Sequence, residues 1–225
     1  MSLPVMILAA GFGARMGALT SDRPKALIEV AGKALIDHAL DLTASHGPVA
    51  VNGHYRAAQL AAHLAGRGTH FLHELPDILD SGGAVRNALP ILGDGRFATL
   101  NADAVWSGPN VLDQLCAQWQ PEMGGLLALV PMARAVGRQG GGDFRLERDG
   151  RLQPDKAGHV YTGAQILAGG VVSRWRPGQF SMWEIWQSLL AEDRLFGCLY
   201  PGYWADVGHP EGIALAENML ETPHA

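Results

Sequence analysis

The first half of the chain alternates short apolar runs with amphipathic stretches. Residues 5–10 form an unbroken apolar run that ends at Gly11, which is typical of a strand buried on both faces of a parallel sheet. Further strands are predicted at residues 49–51, 70–72 and 97–100. Helices are predicted between them, at residues 37–45, 56–64 and about 83–90. Because strands and helices alternate, we expect right-handed crossovers and an α/β fold with a doubly wound, mostly parallel mixed sheet.

The pattern changes after Trp119 and becomes more typical of antiparallel structure. Short strands are predicted at residues 126–130, 144–146, 151–153 and 196–200, with Arg148-Asp149-Gly150 as a hairpin turn. Helices are predicted at residues 182–190 and 211–220. The chain contains no internal repeat, low-complexity tract or linker. We therefore expect residues 1–225 to form a single domain with a small antiparallel portion.

Composition and charge exclude several functions. The 17 Lys and Arg residues against 22 Asp and Glu give a net charge of -5, and no basic stripe is present, so nucleic-acid binding is not expected. Cys116 and Cys198 stand alone, which argues against a disulfide or a cysteine metal site. The apolar N-terminus lacks the basic start of a signal peptide, and no run reaches the roughly 18 apolar residues of a membrane span. We expect a cytoplasmic protein without a membrane partner.

A glycine-rich loop follows the first strand, where ligands of doubly wound sheets bind. Gly11 and Gly13 allow backbone N–H groups to approach phosphate oxygens, and Arg15 and Lys25 add two cations, so the loop suits a triphosphate. A dinucleotide site is the competing interpretation, but its fingerprint requires glycine or alanine where this chain has Met16. A tight turn with solvent-facing cations is a third interpretation and needs no ligand.

The glycine loop and several later segments resemble the signature of the sugar-1-phosphate nucleotidyltransferases. Residues 8–16 read LAAGFGARM and residues 24–27 read PKAL, which is similar to the LAAGxGxRM and PKxL motifs of that family. The resemblance continues in order through residues 80–83, 101–103 and 204–208. It implies a Rossmann-like nucleotidyltransferase fold. It also implies an enzyme that transfers a nucleotidyl group from an NTP to a sugar 1-phosphate and releases pyrophosphate.

The resemblance also suggests roles for individual residues. It implies that Arg15 and Lys25 act in catalysis by stabilising charge on the transferring phosphates. Predicted nucleotide-binding residues are Ala10, Gly11, Gly13, Asp80, Gly82 and Gly83, with Asp80 standing where relatives often carry Glu. Capping of a helix N-terminus by Asp80 or Ser81 is the structural alternative. Predicted sugar-binding residues are Trp106, Lys156 and Gly163. Trp183 and Trp186, at helical spacing, are interpreted as core residues without a catalytic role.

Two acidic residues are candidates for a metal site. Asp103 follows the strand predicted at residues 97–100, and Asp206 precedes Gly208, which permits a sharp turn. Each alone could cap a turn or a helix. Together their hard carboxylate oxygens suit Mg2+, which shares its coordination shell with substrate phosphates, and the resemblance implies the same ion. We expect the two side chains to meet opposite the glycine loop.

The likeness is strongest to one group of short enzymes. Residues 51–55 and 59–64 are most similar to N-acetylmuramate 1-phosphate uridylyltransferases of peptidoglycan recycling, which implies UTP and N-acetylmuramate 1-phosphate as substrates. Residues 1–120 would then mainly bind the nucleotide and residues 121–225 mainly the sugar. A mannose or heptose 1-phosphate guanylyltransferase is the close alternative. A catalytically silent sugar-nucleotide-binding protein and a nicotinamide-dependent reductase are alternatives from other classes.

Overall fold

Strands and helices alternate along the first half of the structure, as the apolar pattern predicts. The computed structural model describes residues 2–222. In chain order its strands β1 to β14 are Val5–Leu8, Glu29–Val30, Lys33–Ala34, Val49–Gly53, Thr69–His73, Arg96–Asn101, Ala104–Ser107, Gly125–Val130, Ala135–Val136, Phe144–Leu146, Leu152–Pro154, Val160–Ala168, Leu195–Leu199 and Tyr203–Asp206. Its helices α1 to α7 are Leu35–Asp41, Ala57–Leu64, Asp80–Leu92, Val111–Gln118, Gly169–Val172, Met182–Ala191 and Glu211–Glu221.

The central sheet has seven strands in the order β13-β8-β12-β6-β1-β4-β5. The pairs β6–β1, β1–β4, β4–β5 and β8–β13 are parallel, whereas β12 pairs antiparallel with both β6 and β8. Within this sheet, as described, β12 therefore runs against all the other strands. The predicted doubly wound, mostly parallel mixed sheet is confirmed.

Both faces of the central sheet are buried. Val5 and Ile7 of β1 belong to a core layer with α1, α2 and α4, whereas Met6, between them, belongs to a layer with α3, α5 and α6. All three side chains are completely buried, because successive residues of a strand point to opposite faces. Burial of one such side chain contributes about 1.5–3 kcal/mol. Helices on both faces thus account for the unbroken apolar run of the first strand.

Helix boundaries differ from the predicted ones at two places. α1 ends at Asp41 rather than at residue 45, and the hydroxyl of Thr43 donates to the Leu40 carbonyl in the turn that follows. α3 begins at Asp80 and continues through Pro90 to Leu92. The proline removes one backbone hydrogen bond without ending the helix. The helix stops instead at Gly93, whose φ of 79° favours glycine.

The second half of the chain is less antiparallel than predicted. The antiparallel hairpin of β10 and β11 forms as expected, with Gly150 in its turn. β13, in contrast, pairs parallel with β8. β12 has a neighbour on each edge, and β13 adds to the edge of β8 that β12 leaves free. No helix within residues 2–222 combines the length and apolar character that crossing a bilayer requires.

Candidate active site

The glycine loop leaves the carboxyl end of β1 and turns sharply. The N–H of Ala9 donates to Asn52 Oδ1 of β4 at 2.7 Å, which anchors the start of the loop. Gly13 has a φ of 65°, and an added Cβ there would lie 2.9 Å from Lys25 Cβ, so glycine is required. An added Cβ at Gly11, in contrast, would meet no atom within 4 Å. The backbone at Gly11 is therefore open to a ligand.

Arg15 lies on a 3₁₀ segment, Ala14–Thr20, that follows the loop. Gly17, with a φ of 57° and a ψ of -127°, breaks this segment in the middle. An added Cβ at Gly208 would lie 3.3 Å from both terminal nitrogens of Arg15 and 2.9 Å from Asp206 Oδ1. The Arg15 guanidinium and the Asp206 carboxylate therefore flank the same glycine.

Lys25 and Asp103 form an ion pair beside the loop. Lys25 begins a second 3₁₀ turn, Lys25–Leu27, and Asp103 lies between β6 and β7. Lys25 Nζ is 2.6 Å from Asp103 Oδ2, and the two side chains are 12% and 36% exposed. Charges interact more strongly when partly removed from water. The pair places one positive and one negative group at the carboxyl end of β6.

The two predicted metal ligands are brought together by β7 and β14. Asp206 of β14 lies opposite Ala104 of β7 in an antiparallel pair. The N–H of Val207 donates to the carbonyl oxygen of Asp103 at 3.0 Å. Asp103 and Asp206, far apart in sequence, are therefore neighbours on adjacent backbones.

The Asp206 carboxyl is partly removed from water and lies close to a second negative charge. Burial raises the pKa of the Asp206 carboxyl above its ordinary value, and the charge of Asp103 raises it further. The positive charges of Lys25, Arg15 and Arg138 lower this pKa, but by less than burial and Asp103 raise it. The ionised carboxylate would therefore gain from a further cation.

The aspartate pair could provide two oxygen ligands of a divalent metal site. Within residues 2–222, no group of three His, Cys, Asp or Glu side chains is arranged to hold a metal ion by itself. Mg2+ commonly takes one or two protein carboxylates and completes its shell with water and substrate phosphates. The oxygen donors of Asp103 and Asp206, on adjacent backbones, match that requirement.

Two cavities open beside these charges. The smaller, about 240 Å³, lies among the glycine loop, the ends of β4 and β6, and the start of α3. The larger, about 590 Å³, lies between Arg15 and Asp206 on one side and β10, β12 and α6 on the other. Asn101 and Asp103 line both cavities. The two spaces therefore share one wall.

Most of the predicted site residues line these two cavities. In the smaller cavity they are Ala10, Gly11, Lys25, Asp80 and Asp103. In the larger cavity they are Arg15, Asp103, Lys156, Gly163 and Asp206. Segments from the beginning, middle and end of the chain are thus brought together around one cleft.

The start of α3 is built differently from the prediction. Gly82 and Gly83 line neither cavity and are buried. An added Cβ at Gly82 would lie 2.5 Å from Phe180, and the N–H of Gly83 donates to the Phe180 carbonyl at 3.0 Å. Because Gly82 and Gly83 have no side chains, the segment before α6 can pack directly against the start of α3. Asp80 does reach the smaller cavity. Its carboxylate accepts the N–H of the adjacent Ser81, whereas an N-cap side chain accepts from a residue two or three positions further on, so this bond is not the predicted helix cap.

Two further predicted residues are not among those that line the two cavities. The ring of Trp106 lies edge to face against Tyr200 at 5.2 Å, and Trp106 pairs across the strands with Trp204, which does line the larger cavity. Gly13 turns the loop against Lys25. A sugar contact from Trp106 and a nucleotide contact from Gly13 therefore stay predictions.

Trp183 and Trp186, interpreted from sequence as core residues, both line the larger cavity, although Trp186 also packs against the core as predicted. Trp183 is 41% exposed. The Trp186 Nε1–H donates to Gln165 Oε1 at 2.8 Å, and its ring meets Tyr161 edge to face at 4.8 Å. The signal that could have found them is their spacing of three, which puts both on one face of α6.

An ion pair that the sequence analysis missed also borders the larger cavity. Arg138 Nη2 lies 2.8 Å from Asp143 Oδ1, and Asp143 Oδ2 accepts the N–H of Tyr161 at 2.9 Å. Both charged residues line the cavity. Neither residue belongs to a recognisable motif, so the ion pair could not be predicted from the sequence.

A buried carboxylate supports the smaller cavity. Glu74 is 2% exposed, and its two oxygens accept hydrogen bonds from Asn52 Nδ2 at 2.7 Å and from the Leu79 N–H at 2.8 Å. Since Asn52 also accepts the N–H of Ala9, one network ties the glycine loop to the segment before α3. No sequence signal marks Glu74 or Asn52 as part of the site.

Comparison with known proteins identifies the family. Residues 5–137, more than half of the chain, match the MobA-like NTP transferase domain. The chain belongs to the MobA-like NTP transferase family. The sequence-based prediction of a nucleotidyltransferase is thereby confirmed, and the interpretation as a nicotinamide-dependent reductase is excluded.

Individual relatives of this NTP transferase agree with the family match. The N-acetylmuramate alpha-1-phosphate uridylyltransferase of Caulobacter vibrioides is 38% identical over 96% of this chain and 96% of its own. The mannose-1-phosphate guanylyltransferase catalytic subunit beta of Dictyostelium discoideum is 27% identical over 98% of this chain and 66% of its own. The crystal structure of HddC from Yersinia pseudotuberculosis, complexed with GMP-PN, has a TM-score of 0.75 and 19% identity over 96% of this chain and 98% of its own. The last comparison confirms the fold.

Proposed function

We propose that the chain transfers the uridylyl group of UTP to N-acetylmuramate 1-phosphate, forming a uridine diphosphate sugar and pyrophosphate. The observation that carries the proposal is the meeting of two cations and two carboxylates where the two cavities join. A nucleotide in the smaller cavity and a sugar phosphate in the larger cavity would bring their phosphates to these charges. The uridylyltransferase of Caulobacter vibrioides, at 38% identity over nearly the full length, supports this choice of substrates.

The lining of the two cavities supports separate binding roles for the two halves of the chain. Every residue that lines the smaller cavity lies within residues 1–120. The larger cavity is lined by residues 138–206, together with Arg15, Asn101 and Asp103 from the first half. We assign the nucleotide to residues 1–120 and most of the sugar contacts to residues 121–225.

The reaction is an in-line displacement at phosphorus. A phosphate oxygen of the sugar 1-phosphate attacks the α-phosphorus of UTP and forms a new P–O bond. The bond from that phosphorus to the oxygen bridging to the β-phosphate breaks, and pyrophosphate leaves with that oxygen. The second pKa of a phosphate monoester is about 6, so the attacking oxygen is already mostly ionised near neutral pH and no general base is needed. The site must align the groups and offset charge.

The charged residues of the cleft meet these requirements. Arg15 and Lys25 would stabilise the charge that develops on the transferring and departing phosphates. Asp103 and Asp206 would hold Mg2+, which supplies neutralisation of phosphate charge when bound. The N–H groups at Ala10 and Gly11, beside the open backbone of the loop, would donate to phosphate oxygens.

The larger cavity suits a bulky acidic sugar. Trp183 and Trp186 present aromatic surface on which a pyranose ring can pack. Lys156 also lines the cavity, and within residues 2–222 its ammonium group has no acidic side chain at ion-pair distance. N-acetylmuramate carries a carboxylate in addition to its 1-phosphate. The Lys156 ammonium would be a local partner for that carboxylate, although Asp143 and Asp155 line the same cavity, and this pairing favours N-acetylmuramate over a neutral sugar.

A pyrophosphate-release assay tests the proposal. The purified protein with Mg2+ is given each of the four NTPs with the 1-phosphates of N-acetylmuramate, N-acetylglucosamine, mannose and heptose. We expect the highest kcat/KM for UTP with N-acetylmuramate 1-phosphate. A preference for GTP with mannose or heptose 1-phosphate would support the guanylyltransferase alternative. Silence with every pair would overturn the proposal and favour a sugar-nucleotide-binding protein.

The proposed acceptor also suggests a cellular role. N-acetylmuramate is a peptidoglycan sugar, so we propose that the enzyme acts in the cytoplasm in peptidoglycan recycling. Deletion of the gene should cause N-acetylmuramate 1-phosphate to accumulate, which mass spectrometry of cell extracts would detect. Unchanged levels of that metabolite would contradict the role in recycling while leaving the reaction itself to the assay above.

A further inference from the structure

The segment that follows Arg15 is held by side chains of a neighbouring element. The hydroxyl of Tyr55 donates to the backbone carbonyl of Thr20 at 2.9 Å. The amide of Gln59, on α2, donates to the backbone carbonyl of Asp22 at 2.8 Å. These bonds reach across more than thirty residues of sequence, so they connect two separate parts of the fold.

Arg56 completes this set of contacts. Its Nη2 donates to the backbone carbonyl of Ser21, and its Nε donates to the hydroxyl of Tyr55 at 3.0 Å. The backbone carbonyls of residues 20–22 thus all accept hydrogen bonds from side chains of residues 55–59. Arg56 adopts a φ of 51°, a conformation that non-glycine residues rarely adopt. Backbone strain of this kind persists where the surrounding structure requires it, often near functional sites.

The same stretch also contacts the beginning of the glycine loop. The ring of Phe12 lies edge to face against His54, with 5.4 Å between ring centroids, and 6.0 Å from the ring of Tyr55. Phe12 is 51% exposed, so its contacts are with these rings rather than with the core. Residues 54–59 therefore touch both ends of the segment that carries Arg15.

The segment between these ends has little regular structure of its own. Its 3₁₀ geometry is interrupted at Gly17, and its backbone bonds span single turns, such as Met16 N–H to the Gly13 carbonyl at 2.8 Å. Short 3₁₀ turns have poorer hydrogen-bond geometry than an α-helix. The Thr20 hydroxyl bonds to the Gly13 and Gly17 carbonyls at 3.2 Å within the segment, and the contacts from residues 54–59 add to these internal bonds.

We propose that residues 54–59 form a loop clamp that positions the Arg15 guanidinium for nucleotidyl transfer. Tyr55, Arg56 and Gln59 are positioning residues, since they act through the backbone of residues 20–22. The inference rests on the proposed function for its kinetic consequence. Its structural consequence, a loop held by the clamp, can be measured without any substrate.

The test removes two of the bonds while keeping side-chain size. In the double variant Tyr55→Phe, Gln59→Met, kcat should fall about tenfold because small displacements of a catalytic group are costly. The KM for the sugar 1-phosphate should stay unchanged. Hydrogen exchange of a peptide covering residues 12–22 should become faster, and the Tm should stay close to that of the wild type.

Matched controls remove similar groups elsewhere. Tyr200→Phe removes a hydroxyl that donates to the Pro109 carbonyl at 2.8 Å, and Gln118→Met changes an exposed residue of α4. Neither should change kcat or the exchange of residues 12–22. If the double variant does not fold, the single variant Gln59→Met at its exposed position gives the same comparison.

Each outcome bears on the proposal in a distinct way. Unchanged exchange of residues 12–22 in the double variant would overturn the clamp itself. Faster exchange with unchanged kcat would overturn its role in catalysis. An inactive wild-type protein would refute the proposed function, and with it the kinetic part of this inference. An active wild type with an equally active double variant would refute the catalytic role of the clamp and leave the proposed function standing.

Discussion

At the scale of single residues, the Arg15 side chain is exposed and can contact a ligand, and it lies beside the half-buried carboxylate of Asp206. Arg15→Ala should lower kcat/KM by about 10²- to 10³-fold, the usual effect of removing one donor that stabilises transition-state charge. The Tm should change little, because exposed side chains contribute little to stability. Steady-state kinetics and a thermal melt measure the two effects.

Arg23 provides the matched control for Arg15. It is a nearby arginine, half exposed, whose Nε lies 3.1 Å from Asp22 Oδ1. Arg23→Ala should retain nearly full activity because an exposed ion pair of this kind contributes little. Equal activity of the Arg15→Ala enzyme and the wild type would refute the catalytic role.

Asp206 should be required for activity but not for stability. Burial and the charge of Asp103 raise the pKa of its carboxyl. A raised pKa in the folded state means that keeping the group ionised at neutral pH costs stability. Asp206→Asn should therefore match or exceed the Tm of the wild type without substrate, while its Mg2+-dependent pyrophosphate release is lost. Asp94→Asn, at an exposed position away from the cleft, should change neither.

At the scale of elements, α3 starts against the segment before α6, and this contact depends on the absence of a side chain. Gly82→Ala would place a Cβ 2.5 Å from Phe180 and should destabilise the fold by about 1–3 kcal/mol, the usual cost of overpacking. Gly170→Ala in α5 is the control, because an added Cβ there meets no atom within 4 Å. Urea denaturation of both variants gives the comparison, and equal midpoints would contradict the contact.

α6 should govern acceptor binding through its aromatic face. Trp183→Ala should raise the KM for the sugar 1-phosphate by about 3- to 10-fold, since an aromatic contact contributes about 0.5–1.5 kcal/mol. The KM for the nucleotide should not change, because Trp183 does not line the smaller cavity. Trp119→Ala, which lies at the end of α4, should lower the Tm without changing either KM. A shift in the nucleotide KM alone would contradict the assignment.

The elements themselves were predictable where burial imposes a period on the sequence. β1, β4, α2 and α6 lie where the apolar pattern predicts them, because each must bury one or two faces. The end of α1 and the start of α3 were not predictable, since they depend on local turns such as that at Thr43 and on the approach of Phe180. The spacing of apolar residues along the sequence predicts neither the turn at Thr43 nor the approach of Phe180.

At the scale of the whole molecule, the two halves share one sheet. β12, from the second half, pairs with β6, from the first half, over Ala164 to Ala168. The halves should therefore unfold together. Urea denaturation followed by tryptophan fluorescence and by far-ultraviolet circular dichroism should give coincident transitions. Two separate transitions would mean that residues 1–120 and 121–225 are independent units.

The central charges of the cleft were predictable from sequence because they stand in motifs at the ends of strands. Arg15, Lys25, Asp103 and Asp206 are all found at the cleft. Their mutual contacts were not predictable, since the ion pair of Lys25 with Asp103 joins segments that only the fold brings together. The aromatic face of α6 and the buried Glu74 carboxylate beside the smaller cavity were also not predictable, because their contacts too form only in the folded chain.

The common wall of the two cavities limits how substrate preference can change. Asn101 and Asp103 face both spaces, so a substitution at either position would disturb donor and acceptor together. Redesign for a different sugar should therefore begin at Lys156 and Trp183, which line only the larger cavity, the proposed site of the acceptor. A library confined to such positions would keep the choice of base intact while the sugar varies.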